Sequence, residues 1–306
     1  MLLLIARRLL QMPLILAVIF AVTLTLAWVI PGNPLERPEG QRPPPEVAAA
    51  MLRQYNLHDP WAFASSYLSN LLFKGDWGPS LRYGDQRVGD ILAQGLPVSA
   101  SLGVAALVVA LAIGTAAGVI GALRPGSVLD GASLAVALVG VSLPCFVTGS
   151  ILLVVFAGTL RWLPVGGWGS PSQVILPALT LGVAPAAYIA RLIRLGLADV
   201  MASDFIRTAR AKGLSHHRAL FKHALKVAFL PVLSFLGPAA AAAMTGSFVV
   251  EQVFNIPGLG EHFVNAVLNK DQFLILGIVL TYSTMLVLFN LAVDVAYAWI
   301  DPRIEL

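Results

Sequence analysis

The stretch ILAQGLPVSASLGVAALVVALAIGTAAGVIGAL, residues 91–123, contains no Asp, Glu, Lys or Arg. An α-helix needs about 20 apolar residues to cross the roughly 30 Å hydrocarbon core of a bilayer, and this run is long enough. The chain has five further charge-free runs of sufficient length, at 9–35, 131–160, 162–190, 227–250 and 272–293. The sequence therefore predicts an all-α membrane protein with six transmembrane helices, near 9–30, 97–122, 131–157, 174–196, 228–250 and 273–298.

The composition excludes an ordinary soluble domain. Of the 306 residues, 58% are hydrophobic and 12% are charged, whereas charged residues make up about 25% of a typical soluble domain. The net charge of +4 comes without a basic surface interleaved with aromatic residues, so nucleic-acid binding is not expected. The single cysteine, Cys145, lies inside the predicted third span and cannot form an intrachain disulfide.

The distribution of Lys and Arg predicts the orientation. With both termini in the cytoplasm, 12 of the 20 basic residues lie inside: eight between Arg191 and Lys226, together with Arg7, Arg8, Arg124 and Arg303. Six of the remaining eight lie in one long loop, which is translocated largely regardless of its charge. We therefore expect cytoplasmic N and C termini.

Three parts follow from this topology. Residues 1–30 are predicted to be an anchor helix and residues 31–96 an external segment. Within the segment, PPPEVAAAMLRQYNL (43–57) is typical of a short helix introduced by prolines, and GDWGPSLRYGD (75–85) is typical of turns. The segment is too small and too polar for a core of its own, so we expect it to pack on the outer ends of the helices.

Residues 97–306 form the predicted five-helix core, with a basic cytoplasmic loop at 197–227. The last part of this loop, RTARAKGLSHHRALFKHALK (207–226), contains no acid. Helical periodicity groups Phe205, Ala209 and Gly213 on one face and turns most of the basic side chains elsewhere. Such a helix suits docking of a soluble partner. Headgroup anchoring by positive charge is the alternative, and the charge pattern alone leaves both open.

Small residues recur inside the predicted spans. Examples are Gly114 and Gly118 in the second span and the stretch GPAAAAAMTGS (237–247) in the fifth. Small residues let helix backbones approach closely in lipid. They are compatible with packing inside this chain, packing on a partner subunit, or lining a pathway.

The chemistry of an enzyme or a nucleotide-binding protein is missing from the sequence. All five histidines lie in loops or at their edges, and neither an HExxH motif nor a GxxxxGK[ST] phosphate loop occurs. His216, His217 and His223 have no nearby carboxylate or cysteine to complete a metal site, so no metal is expected.

The predicted spans contain almost no ionisable side chains. Asp294 is the exception, and it lies near the cytoplasmic end of the sixth span. A carboxylate there reaches water or pairs with a loop arginine, and Arg191 or Arg194 is the predicted partner. An ion-coupled carrier normally needs ionisable groups near the membrane midplane. We therefore expect the energy for transport to be supplied by another subunit.

Three stretches resemble one known family, the permease subunits of binding-protein-dependent ABC importers. The loop sequence RTARAKG (207–213) with Leu230-Pro231 is similar to the peptide-importer form of the family's cytoplasmic motif, with Arg207 where the general motif has Glu. VEQVFNIPGLGEHFVNAVLNKD (250–271) and NLAVDVAYAWIDPRI (290–304) match the same form. The external segment resembles that of B-type subunits of oligopeptide importers.

The resemblance implies a type I importer permease in a bacterial inner membrane, and a set of partners for it. These are a second related permease, two cytoplasmic ATPase subunits that bind ATP and Mg, and an external peptide-binding protein. No cofactor is expected on this chain. The coupling helix would lie within 203–220 and contact an ATPase, with eight contact residues: Phe205, Arg207, Thr208, Ala209, Arg210, Lys212, Gly213 and Leu214.

The resemblance also implies that the external segment contacts the binding protein. Trp61 and Trp77 are candidate anchors there, or equally residues of the interfacial aromatic belt. Exposed charges such as Asp85 and Arg87 are expected to contribute to docking. Permeases for dipeptides, nickel or glutathione are the alternatives within the family. A stand-alone secondary transporter or channel, and an intramembrane hydrolase, are the alternatives outside it.

Overall fold

The computed structural model describes residues 2–31, 34–35, 44–84, 86–123 and 125–300. Apart from one antiparallel bridge between Pro79 and Arg87, the regular elements within these residues are all helices, which confirms the all-α prediction. The chain forms two compact units. Unit 1 contains Ala100–Ile256 and the chain from Phe289 onward, and unit 2 contains Leu2–Ser99 and Pro257–Leu288.

The first part of the chain contains α1 (Leu2–Val29), α2 (Pro45–Gln54), α3 (Pro60–Lys74) and α4 (Val88–Leu123). The central part contains α5 (Val128–Ser142), α6 (Cys145–Leu152) with a π-helical continuation (Leu153–Thr159), and α7 (Pro171–Met201). Then come α8 (Asp204–Ala211), α9 (His216–Ala219), a π-helical turn (Leu220–Ala224), α10 (Leu225–Ala228), α11 (Leu230–Val253), α12 (Leu259–Leu268) and α13 (Gln272–Ile300).

Four helices in the described residues are long and apolar enough to cross a membrane. They are Ile5–Val29 of α1, all of α4 and α7, and Gln272–Tyr297 of α13. A fifth span is possible if His216–Ala228 and Leu230–Met244, which are bent by 48° relative to each other, form one broken span. The predicted count of six is therefore not confirmed, although the chain is plainly a multi-pass membrane protein.

The predicted third span, 131–157, is interrupted at Pro144. Leu143 has extended backbone angles, φ −85° and ψ 131°, and α6 begins only at Cys145. The ring of a proline disfavours helical angles at the residue before it and removes one N–H donor, which ends α5 here. The two pieces, Val128–Ser142 and Cys145–Thr159, are each shorter than a span.

Unit 1 is organised around α7. This helix packs against α5, α6, α10 and α11, and its buried face runs almost its whole length. A Cβ atom added to Gly114 of α4 would lie 2.6 Å from the Ala186 carbonyl oxygen of α7, and one added to Gly118 would lie 2.6 Å from the Ala190 carbonyl oxygen. These glycines therefore bring α4 and α7 of the same chain into backbone contact. Of the three roles that small residues suggested, these two have the first, packing inside this chain.

Unit 2 is built around a cluster of aromatic rings. Phe63 and Tyr67 of α3 lie against Phe273 at the start of α13, with ring centroids 5.0 Å and 6.0 Å away. Phe20 and Trp28 of α1 contact the same two α3 rings. The predicted short helix near 43–57 is confirmed as α2, whereas α3 was not expected.

Two local signals account for α3. The carboxylate of Asp59 accepts a hydrogen bond from the Trp61 N–H at 2.9 Å and caps the first turn, and Pro60 occupies the first helical position. Gly75 ends the helix in the left-handed conformation, with φ +65°. Pro60 thus begins a helix.

Asp271 joins the 76–87 hairpin to the first turn of α13. One carboxylate oxygen accepts hydrogen bonds from the Ser80 hydroxyl at 2.5 Å and the Arg82 N–H at 3.1 Å, and the other accepts from the Leu274 N–H. Burial raises the pKa of Asp271, and these hydrogen bonds oppose that shift. Within unit 2, the segment between α1 and α4 is therefore fastened to the start of α13 by a buried polar contact as well as by the aromatic cluster.

The close contact between α4 and α7 predicts that Gly114→Ala is destabilising. Its added methyl group meets a backbone oxygen and Ile189, and overpacking of this kind costs about 1–3 kcal/mol. Gly103→Ala on the same helix is the matched control, because its nearest neighbour would be a Met244 side-chain atom at 4.0 Å. Thermal unfolding in detergent should give a lower Tm for Gly114→Ala than for the wild type and an unchanged Tm for Gly103→Ala. Equal Tm values for the two variants would contradict this packing.

Candidate functional site

The basic loop folds as a short surface helix fixed by one buried residue. In α8, Ile206 is completely buried, whereas Phe205 beside it is 49% exposed and the side chain of Arg207 is 75% exposed. Ile206 packs into a cluster of apolar side chains from α7 and from the α9–α10 segment, among them Leu197, Leu220 and Ala224. The helix therefore has an anchored face and a cationic face.

The buried anchor, Ile206, is a residue that the sequence analysis did not single out. Of the predicted apolar face, Phe205 is exposed, as a docking residue must be, whereas Gly213 lies beyond the end of α8. Ile206 is the only large aliphatic residue between Met201 and Leu214, and this was the signal in the sequence that could have identified it. The exposed surface contains Phe205, Arg207, Thr208, Arg210 and Lys212, with Ala209 and Leu214 half-buried.

Gly213 ends α8 in a Schellman motif. Its N–H donates to the Arg210 carbonyl at 2.9 Å, and the Leu214 N–H donates to the Ala209 carbonyl at 3.2 Å. Gly213 has φ +90°, a conformation that side-chain-bearing residues rarely adopt. This glycine therefore forms a turn at the helix end. A Cβ atom there would meet nothing within 4 Å.

A charged pair joins the start of α5 to α7 in the same unit. Arg194 donates two hydrogen bonds to Asp130, from Nε at 2.5 Å and from the second guanidinium nitrogen at 2.8 Å. The Gly126 N–H adds a third at 2.9 Å. The Arg194 guanidinium and this N–H hold the pKa of Asp130 below its usual value. Paired, bidentate contacts of this kind fix geometry as well as charge.

The acid that Arg194 contacts was not the predicted one. Asp294 was expected to pair with Arg191 or Arg194, but the guanidinium of Arg194 is held by Asp130 instead. Asp130 is nearly fully buried at the start of α5, and the packing of α5 on α7 places its carboxylate beside Arg194. A contact between Asp294 and Arg191 stays a prediction. Asp301 and Arg303 lie outside the described residues.

The histidines of the loop do not converge with acidic or sulfur ligands. The rings of His216 and His217 are 6.1 Å apart, measured between centroids. Across the part of the chain that the structure describes, no three His, Cys, Asp or Glu residues form a group suited to a metal ion. The expectation that this loop binds no metal stays a prediction.

In unit 2, the two tryptophans predicted as external anchors, Trp61 and Trp77, differ in exposure. Trp61 is 83% exposed at the first turn of α3, whereas Trp77 is half-buried against the aromatic cluster. Arg87 lies 3.5 Å from Asp76 across the small hairpin, and this pair borders a polar cleft of about 220 Å³. Asp85 lies outside the described residues.

These features define a multi-pass helical membrane protein with a cationic helix fastened to the end of its central span. Comparison with known sequences gives its family. The chain belongs to the inner membrane components of binding-protein-dependent transport systems, whose family pattern matches residues 114–306. The family and the fold identify a transport subunit rather than an enzyme.

Individual relatives match almost the whole chain. The oligopeptide transport system permease protein OppB of Salmonella typhimurium is 44% identical over 306 residues, covering 98% of each chain. OppB of Haemophilus influenzae is 42% identical over 302 residues, again with 98% coverage of each. The dipeptide transport system permease protein DppB of Bacillus subtilis is 39% identical over 300 residues, covering 98% of this chain and 97% of the relative.

The fold itself matches solved transporter structures. An inward-facing structure of the MetNI methionine ABC transporter contains a chain with 19% sequence identity and a TM-score of 0.56, matched over 69% of this chain and 96% of that one. A second crystal form of the same transporter gives a TM-score of 0.53 at 18% identity. At this level of identity the comparison concerns the fold, and it confirms the predicted type I importer permease architecture.

The Asp130–Arg194 pair predicts strongly coupled mutational effects. Removal of either partner takes an opposite charge away from the other, and the Asp130 carboxylate is almost fully buried at this contact. Asp130→Asn and Arg194→Gln should each lower the Tm, and the double variant should lower it by much less than the sum. The exposed Arg207–Asp204 pair, 3.3 Å apart, is the control, and Asp204→Asn should leave the Tm nearly unchanged. Full additivity at Asp130 and Arg194 would show that their contact is energetically unimportant.

Gly213 predicts a second, local effect. Gly213→Trp should insert into the membrane normally, because its side chain points into open space, but the strained φ angle should distort the end of α8. We expect peptide uptake to fall at least tenfold, with ATP hydrolysis uncoupled or the ATPases lost. Gly213→Asn, which tolerates positive φ better, should retain more uptake than the Trp variant. Wild-type uptake by Gly213→Trp would contradict a coupling role for this turn.

Proposed function

We propose that this chain is a permease subunit of an ABC importer that takes up peptides, with oligopeptides as its substrates. The observation that carries the proposal is the cationic α8, anchored through Ile206 on a central span, in a chain of a family whose transport depends on a binding protein. The relatives named for oligopeptide transport are 42–44% identical to this chain, and the Bacillus relative named for dipeptide transport is 39% identical.

The partners follow from the same proposal. Two cytoplasmic ATPase subunits bind and hydrolyse ATP with Mg, a second related permease completes the pathway, and an external binding protein delivers the peptide. The excess of Lys and Arg in the α8–α10 segment supports a cytoplasmic position for it and cytoplasmic termini. The lipid is that of a bacterial inner membrane, and the chain itself needs no cofactor.

The proposed mechanism is alternating access driven from α8. Closure of the ATPase dimer on ATP moves the grooves in which α8 and its counterpart lie. Because Ile206 is buried in the same apolar cluster as Leu197 of α7, α8 and the end of this span move together rather than sliding past each other. Arg194 lies one helical turn before Leu197 and carries the same displacement to the start of α5 through Asp130. The permease pathway then opens outward, and hydrolysis returns it inward.

Phe205 tests the docking surface without disturbing the anchor. Its ring is half exposed beside the buried Ile206, so Phe205→Asp should leave the fold intact while placing a carboxylate in the contact. Loss of one buried aromatic anchor commonly costs about 2 kcal/mol or more of binding free energy, equal to some thirtyfold in affinity. We expect co-purification of the ATPases to be lost in Phe205→Asp and retained in Phe205→Tyr. Equal retention in both variants would place the contact elsewhere.

The proposal as a whole is tested by reconstitution. The chain should be expressed with its neighbouring permease, ATPase and binding-protein genes, purified as a complex and placed in lipid vesicles. Addition of binding protein with a tri- to pentapeptide should stimulate ATP hydrolysis and accumulate the peptide. Failure of ATPases to co-purify, with uptake driven by an ion gradient, would favour a secondary transporter.

The dipeptide alternative rests on the similarity to DppB. Competition experiments in the same vesicles separate the two, using labelled tripeptide with an excess of unlabelled dipeptide or tripeptide. Uptake of the labelled tripeptide that unlabelled tripeptide suppresses and unlabelled dipeptide does not supports the oligopeptide assignment, whereas uptake of labelled dipeptide without uptake of labelled tripeptide supports the alternative. Uptake of nickel or glutathione instead of peptide would indicate the other branches of the family.

A further inference from the structure

The C-terminal end of α3 carries an apolar surface that is unusual for a segment predicted to be external. Leu72 and Phe73 are 73% and 85% exposed, and Trp61 at the other end of the helix is 83% exposed. The opposite face of α3 is buried through Phe63 and Tyr67. Two adjacent large apolar side chains facing outward at a helix end are costly in water.

The ring contacts with α1 give the direction of α3. Trp28, near the end of α1, pairs with Phe63, with centroids 5.5 Å apart. Phe20, eight residues earlier on α1, stacks on Tyr67 at 5.8 Å. The contacts therefore step backward along α1 as they step forward along α3, so the two helices are antiparallel. The end of α3 with Leu72 and Phe73 points along the apolar helix α1, away from its Val29 end.

Contacts with α13 give the level at which α3 ends. Phe63 and Tyr67 lie against Phe273, in the first turn of the apolar span Gln272–Tyr297. After α3, the side chain of Trp77 lies 3.7 Å from the position of a Cβ atom on Gly277, five residues into that span. The C-terminal end of α3 is thus beside helix segments that are apolar enough to be in the bilayer.

The surface of α1 provides continuity with lipid. Its outward-facing side chains include Val18, Val22 and Leu26, each more than half exposed in a helix that is long and apolar enough to span the membrane. These residues require lipid or another apolar surface around them. The buried face of α3 packs against this helix through Phe63 and Tyr67, which leaves Leu72 and Phe73 exposed near the apolar surface of α1.

We propose that the C-terminal end of α3 inserts into the lipid bilayer beside α1, with the side chains of Leu72 and Phe73 among the acyl chains. Trp61, at the other end of the helix, then lies on the water-facing side of the interface. The segment between α1 and α4 is therefore a membrane-bound element, and the lipid fixes the level of the Asp76–Arg87 hairpin. A binding protein or a second permease on the same face is the competing occupant.

Spin labels on α3 test this placement directly. The native thiol is removed as Cys145→Ser, and a nitroxide is attached to Leu72→Cys or Phe73→Cys of the full chain. Ser65→Cys, exposed on the same helix near Trp61, is the matched control. The complex is reconstituted in vesicles of phosphatidylethanolamine and phosphatidylglycerol, and label accessibility to oxygen and to a water-soluble nickel chelate is measured by power saturation.

The expected result is a several-fold higher accessibility to oxygen than to the nickel chelate at positions 72 and 73, and the reverse at position 65. High nickel accessibility at 72 and 73 would overturn the proposal, because the helix end would then be in water. Immobile labels protected from both reagents would also overturn it, since a protein partner would then cover the face. Peptide-stimulated ATP hydrolysis of the same variants is a separate readout, so failure of the transport assignment does not mimic either result.

Discussion

Burial of the Ile206 side chain holds a strongly basic surface segment onto the membrane-spanning part of the protein. Complete burial of an isoleucine contributes about 1.5–3 kcal/mol relative to exposure, enough to fix an eight-residue helix that would not persist alone in water. The cationic residues around it repel one another and contribute little to packing. Without this contact, α8 would be a charged loop, and in the proposed mechanism the motion of an ATPase would not reach the membrane helices.

The consequences of that contact spread through α7. Leu197, which packs near Ile206, lies one turn from Arg194, and Arg194 is bound to Asp130 on another helix. Further along α7, Ala186 and Ala190 are in backbone contact with glycines of α4. A helix joined to its neighbours by a charged pair at one end and by glycine contacts along its length transmits displacement as a rigid body. In the proposed mechanism, this arrangement lets a small surface helix act on several spans.

The sequence predicts the membrane class, most of the helices and the family, because charge-free runs and motif residues are local signals. It does not predict the break at Pro144, since an intramembrane proline is compatible with either a kinked span or a helix end. The helix α3 was missed because its proline is a start signal only when Asp59 caps the turn, and the two meanings of proline look alike in the sequence.

The site was predicted in outline and missed in two particulars. The position of the basic loop follows from composition, but Ile206 was not singled out as its buried anchor. The Schellman turn at Gly213 also ends α8 before Gly213, the third residue of the predicted apolar face, can be part of the helix. The partner of Arg194 lies 64 residues away in the sequence. No periodicity relates the two, so the choice between Asp130 and Asp294 follows from the packing of α5 on α7.

The measurement that tests the account most directly is disulfide cross-linking of α8 to the ATPase in the assembled complex. Phe205→Cys and Ile206→Cys, each with Cys145→Ser, would be paired with cysteines placed along the surface groove of the ATPase. The account predicts efficient, nucleotide-sensitive cross-links from position 205 and none from position 206, which faces α7. Cross-links from position 206 but not 205, or from neither position, would contradict the assignment of α8 as the element that couples ATP hydrolysis to transport.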